Sequence, residues 1–148
     1  MENIKNDLFE FEVGEDGIGV LSINQINNPT NLFSTEFVTA YLTLAQEAVA
    51  DKDVKGVIIT SSRSMFMPGA DLRELKNMGS NPKEQFESTM EMHHAFRALE
   101  TSGKPFVAAI NGTAMGGGLE LCLACHHRIV LNDVKIKLGF PEAKVGLL

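Results

Sequence analysis

A fold of the α/β (α+β) class with mixed sheets is predicted by three features of this sequence. An opening stretch alternates apolar and charged residues at the period of a strand, short apolar runs of buried-strand type recur at Gly56–Thr60 and Pro105–Asn111, and stretches of helical period lie between them. The size agrees, because 148 residues, 44% of them hydrophobic, suit one domain with a core of its own.

In chain order, "LFEFEV" (Leu8 to Val13) and "IGVLSI" (Ile18 to Ile23) flank the turn "GEDG", which predicts a β-hairpin. "QINNPTN" after it reads as a loop. A helix is expected from Ser34 to about Asp51, with Phe37, Tyr41, Leu44, Ala48 and Val49 on one stripe. The buried strand "GVIIT" follows. "SSRSMFMPGADL" is then a loop, because Pro68 and Gly69 interrupt any regular element ahead of a short helix near Leu72 to Met78.

A longer helix begins at Asn81, a good N-cap, with Pro82 at the first helical position and Glu84 in capping-box spacing. Its apolar face is read as Phe86, Met90, Phe96 and Leu99, and Gly103 closes it. "PFVAAIN" is the second buried strand, Gly112 turns the chain, and a helix runs from Gly117 to near Ala124. Short strands are expected at "RIVL" (Arg128 to Leu131) and "KIKL" (Lys135 to Leu138), ahead of "GFPEAKVGLL". No internal repeat or low-complexity segment stands out.

Charge narrows the function. A net charge of −6, with 13 Lys and Arg scattered along the chain, argues against a nucleic-acid surface and leaves room only for a local basic contact such as one phosphorylated ligand. The start carries no secretory pattern and no run approaches the length of a membrane span, so a soluble, cytoplasmic protein is expected. Two cysteines three residues apart make no disulfide framework. The sequon Asn111-Gly112-Thr113 is read as accidental.

The segment "AMGGGLELCLACHH" (Ala114 to His127) offers two chemistries. Its right half matches the C-x-x-C-H pattern of haem attachment, and Cys122, Cys125, His126 and His127 could contribute to a zinc site. Neither has the context it needs, and the cysteines, neighbours on an apolar helix, are read as core residues, as are the two histidines. His93 and His94 are read as polar positions on the side of a helix.

The left half is different. Gly116, Gly117 and Gly118 let a ligand atom approach the backbone N–H groups of a helix N-terminus, where an oxygen gaining negative charge meets aligned donors and the positive end of the helix dipole. A tight strand-to-helix packing turn is the plain structural alternative. Three features favour the anion site: Glu120 shares a helical face with Gly117, "PGADL" is a second loop-to-helix junction with exposed N–H groups, and Glu142 follows a proline in a loop.

These motifs, "FMPGADLRELKNM", "KPFVAAINGTAMGGGLELCLACHHRIV" and "LGFPEAKVGLL", resemble the crotonase, or enoyl-CoA hydratase/isomerase, superfamily over nearly the whole chain. The likeness is strongest to the hydratase part of multifunctional fatty acid β-oxidation α subunits. It implies a crotonase-like ββα spiral, of which residues 1–148 are the N-terminal portion with the C-terminal helical region missing. It also implies roles. Ala70 and Gly117 match the two oxyanion-hole donors, and Glu120 and Glu142 the two catalytic glutamates. Substrate contacts fall on Met67, Pro68, Gly69, Asp71, Leu72 and Gly116, with Met67-Pro68 standing where a small residue and alanine are more usual beside the CoA adenine.

The resemblance further implies hydration of 2-enoyl-CoA to 3-hydroxyacyl-CoA in fatty acid β-oxidation, with an acyl-CoA thioester as substrate. No metal or redox cofactor is implied, CoA being part of the substrate; with no G-x-G-x-x-G in this chain, NAD is expected only if a dehydrogenase domain follows in the full-length protein. A homo-oligomer, or a complex with a thiolase subunit, is the implied assembly. Two alternatives stay open: a 3-enoyl-CoA to 2-enoyl-CoA isomerase of the same superfamily, and a noncatalytic acyl-CoA-binding module.

Overall fold

The computed structural model describes residues 1–77, 81–144 and 146. The end of the predicted short helix at Met78, and Val145, Leu147 and Leu148 of the last motif, lie outside the described residues. In chain order the elements are β1 (Ile4–Lys5), β2 (Phe9–Val13), β3 (Ile18–Ile23), α1 (Thr35–Ala50), β4 (Gly56–Ser61), α2 (Leu72–Asn77) and α3 (Pro82–Glu100). They continue with β5 (Phe106–Ile110), β6 (Ala114–Met115), α4 (Gly117–Ala124), β7 (His127–Val130), β8 (Leu138–Gly139) and a 3₁₀ turn, Glu142–Lys144.

Six strands form one mixed sheet in the order β1-β2-β3-β4-β5-β7. The hairpin half is antiparallel, with Phe11 opposite Leu21, and from β3 onwards every pair is parallel, with Leu21 opposite Ile59 and Ile59 opposite Ala108. Strand β1 adds an edge that the sequence pattern did not announce. Alternation explains the faces: Phe9, Phe11, Leu21, Ile23, Val57, Ile59, Phe106 and Ala108 are buried.

Helix α1 lays Phe37, Tyr41, Leu44, Ala45 and Ala48 into the core. Ser34 caps it, accepting from the Phe37 N–H at 3.2 Å. At its other end Lys104 Nζ donates to the carbonyls of Ala48 and Asp51, at 2.6 and 2.5 Å, placing a cation at the negative end of the helix. Asn81 caps α3 by accepting from Lys83 N, while Glu84 takes the Asn81 side-chain amide rather than a backbone N–H.

Three expectations are corrected. Phe86 is 65% exposed, and the apolar seam of α3 runs instead through Phe96 and Leu99, where the helix meets the core. "KIKL" is no strand: residues 132–137 turn, with Ile136 N bonded to Asp133 O, and pairing begins only at Leu138. His126 and His127 are exposed rather than core, because β7 is the edge of the sheet. The His126 ring lies over Phe106, and its Nδ1 accepts the Phe106 N–H at 3.1 Å.

The parallel half gathers its loops at one edge. The segments after β3, β4 and β5 all leave from the same, C-terminal, ends of neighbouring strands, the edge at which open α/β sheets gather their ligand-binding loops.

Candidate active site

The segments after β3 and β4 are locked together by a buried polar network. Asn31, fully buried, donates from Nδ2 to Ile23 O, Ser61 Oγ and Phe66 O (3.3, 2.9 and 3.0 Å), while its Oδ1 accepts the Gln25 N–H at 3.1 Å. The Arg63 guanidinium donates to Asn24 Oδ1, Asn28 O and Gln25 O. Buried polar atoms must be paired, so this network sets the path of both loops.

Phe33 is carried to Ala70 by that path. Phe33 N donates to Gly69 O at 2.9 Å, and Asp71 N to Phe33 O at 3.3 Å, a parallel bridge that uses the neighbours of Ala70 and leaves the Ala70 N–H facing away from Phe33. The Phe33 ring meanwhile occupies the space a β-carbon on Gly117 would need. One residue thus touches both the Ala70 backbone and the first turn of α4.

Helix α4 starts without a side-chain cap. Its N-cap is Gly116, at φ 51°, a backbone conformation that favours glycine, and the Gly116 carbonyl accepts from Leu119 N (2.8 Å) and Glu120 N (3.0 Å). The Gly117 N–H belongs to the first turn, whose donors have no intrahelical acceptor. Gly118 packs on the Met67 carbonyl. The triplet packs tightly through Gly117 and Gly118, and all three glycines are buried at the start of α4.

The second glutamate reaches this end through the small sheet. β6 pairs in parallel with β8, Ala114 N bonds Lys137 O and Gly116 N bonds Gly139 O, both at 3.0 Å. Pro141 and the 3₁₀ turn follow directly. Glu142 Oε1 lies against Gly116, 2.6 Å from where a β-carbon would stand, and Glu142 Oε2 is buried with no hydrogen-bond partner among the described residues. Glu120 is half-buried and lines a cavity of about 440 Å³ with His93, Phe96 and Phe140. Its carboxyl is held above the usual range first by burial and then by the negative charge of Glu142, with His93 opposing. A carboxylate on α4 and one on the 3₁₀ turn thus lie near enough for the charge of one to act on the other.

The other residues singled out divide. Asp71 is buried and caps α2, accepting from Arg73 N at 2.8 Å and from its guanidinium, which holds the carboxyl down to about 2. Met67 is fully buried, its N–H bonded to Thr113 O and its carbonyl to Met115 N, so it builds the site from beneath. Pro68 and Gly69 are half-buried next to Ala70, and Leu72 is exposed. Cys122 and Cys125 are buried; burial pushes both thiols up to about 12, and their sulfurs donate to Gly118 O and Leu121 O. Protonated, enclosed thiols suit the core, not ligation. Sequence reasoning missed Phe33, Asn31 and β6; the only signal for Asn31 was its place in a polar, turn-rich loop.

Residues 15–148 match the family model described as enoyl-CoA hydratase/isomerase. The chain belongs to that family. Among its relatives, the fatty acid oxidation complex subunit alpha of Shewanella amazonensis is 36% identical over 141 residues, covering 95% of this chain and 20% of the relative. The subunit of the same name from Shewanella loihica is 38% identical over 135 residues, covering 90% and 19%. The chain spans about a fifth of the length of these curated relatives.

The fold is crotonase-like. An enoyl-CoA hydratase/carnithine racemase from Magnetospirillum magneticum superposes with a TM-score of 0.83 at 25% identity, over 97% of this chain and 53% of that one. An enoyl-CoA hydratase from Thermoplasma volcanium gives 0.81 at 25%, over 95% and 54%.

Proposed function

We propose that this chain carries the N-terminal part of a hydratase site that adds water to 2-enoyl-CoA to give 3-hydroxyacyl-CoA. The observation that supports it most is the meeting of two glutamates, Glu120 and Glu142, at an uncapped glycine helix end. Family membership and relatives named for fatty acid oxidation support the same class of chemistry.

In this reading the thioester carbonyl lies between the amides of Ala70 and Gly117. Attack at C3 moves charge onto the thioester oxygen, and each donor contributes on the order of 3 kcal/mol to the resulting enolate. Glu120, its basicity raised by burial and by Glu142, takes a proton from water as the oxygen bonds to C3. The proton is relayed through Glu142 to C2, so both glutamates end as they began and the sum is one water added across the double bond. Gly116 and the Pro68-to-Leu72 segment, resting on the buried Met67, hold the CoA side of the substrate. The reading extends to a homo-oligomer or a thiolase-containing complex, supported by the relatives' description as a complex subunit, and to a cytoplasmic location.

The test is loss of the crotonyl-CoA enoyl absorbance, with chromatographic detection of 3-hydroxybutyryl-CoA, in protein purified from the full reading frame. Water addition is expected. Acyl-CoA binding without turnover would favour a noncatalytic module, and conversion of 3-enoyl-CoA alone would favour an isomerase.

A further inference from the structure

We propose that Leu42 sets the acyl chain length of this site by standing between two cavities aligned along the seam of α1 and α3. The proposal rests on the acyl-CoA reading above. The first cavity, about 390 Å³, begins at Ala70 and Phe33 and is walled by Val38, Thr39 and Leu42 of α1 opposite Met92 of α3. The second, about 200 Å³, continues with Leu42, Ala45 and Val49 opposite Ala95 and Leu99. Leu42 lines both.

The helix geometry makes these one track. Residues 35, 38, 42, 45 and 49 step by three and four and so share one face of α1. From Thr35 to Val49 that face is about 21 Å long at 1.5 Å per residue. It starts beside the residue whose amide holds the thioester oxygen in the proposed function.

The chemistry of the walls selects an alkyl chain. The polar groups at the mouth serve one another: Glu74 Oε2 accepts from Thr35 N and Oγ1 at 2.9 and 3.0 Å, and Asp71 is paired with Arg73. What remains along the track is mainly apolar, with Thr39, Thr89, Glu91 and Gln46 among its polar residues. Leu42 is only partly buried, packed against the core without belonging to it. Its side chain is therefore the divider, and a chain reaching past it must displace it.

The experiment measures binding of butyryl-, octanoyl-, dodecanoyl- and hexadecanoyl-CoA by calorimetry to the wild type, Leu42→Ala and Leu42→Phe, each checked for folding by thermal denaturation. Affinity is expected to rise roughly fourfold per methylene while the chain finds apolar wall, then to level off. Leu42→Ala should shift the plateau to longer chains, raising the hexadecanoyl-to-octanoyl affinity ratio on the order of tenfold, and Leu42→Phe should shift it to shorter ones. The two substitutions act in opposite directions, so either folded variant decides the matter alone. A plateau that stays at the wild-type length overturns the role of Leu42 while leaving the functional reading intact. Failure of the wild type to bind any of the four thioesters overturns that reading, and this proposal with it.

Discussion

Gly116 leaves to Glu142 the space its own side chain would fill, since a β-carbon there would stand 2.6 Å from Glu142 Oε1. The glycine and the glutamate, far apart in sequence, are held in contact by the β6–β8 pairing, and any side chain at Gly116 must push the carboxylate away. Gly116→Ala is accordingly expected to lower turnover and stability together. Truncating Glu142 to alanine in the same protein should recover part of the stability but none of the activity. Urea denaturation of both single variants and the double variant checks this as a coupling energy.

Gly117 is constrained by a different neighbour, the Phe33 ring. Gly117→Ala should cost about 1–3 kcal/mol through overpacking. Phe33→Ala should make the same substitution much cheaper, a relief measurable by thermal unfolding. An equal cost in both backgrounds would show that the ring is not what restricts Gly117.

The two carboxylates are expected to separate kinetically. Glu142→Gln should slow both hydration of a 2-enoyl-CoA and isomerisation of a 3-enoyl-CoA by about 10²- to 10⁴-fold in kcat. Glu120→Gln should damage hydration far more than isomerisation, because only hydration needs a water activated. Steady-state assays on both substrates read this directly, and normal hydration by Glu120→Gln would reverse the assignment.

Glu120 also predicts a pH effect on stability. Its folded pKa is raised, so the stability its protonated form contributes is full below the unfolded value, about 4.3, and is lost as pH rises through the folded value. The ionised carboxylate therefore burdens the fold at neutral pH. Glu120→Gln should raise the urea midpoint at pH 7 and change it much less at pH 4.

The buried thiols should be silent in the native state. Cys122 and Cys125, pushed up to about 12, are expected to react with a disulfide reagent only after denaturation. Cys122→Ser should keep acyl-CoA turnover and lose on the order of 1–3 kcal/mol of stability, because a more polar hydroxyl takes the buried site.

Much was legible because it is local. The strand period of Leu8 to Val13, the stripe from Phe37 to Ala48, the Asn81-Pro82 start of α3 and the uncapped glycine end of α4 each lie within a few residues of their cause, so composition and spacing announced them. Glu120, Glu142 and the glycine triplet could likewise be singled out from their neighbours in the chain.

What only the tertiary structure decided is which of these meet. Strand β6 is two residues long and has no periodicity to read; it exists because Met67 and β8 pair on its two sides, and it brings Glu142 to Gly116. Phe33 joins Ala70 to Gly117 because the buried Asn31 amide fixes a loop whose sequence suggests only turns. Phe86 and "KIKL" misled for the same reason, since an apolar residue is buried, and a strand is paired, only where a partner surface arrives. Periodicity resides in one segment, but a distance between side chains of different segments is a property of several, set here by backbone hydrogen bonds between loops that leave neighbouring parallel strands.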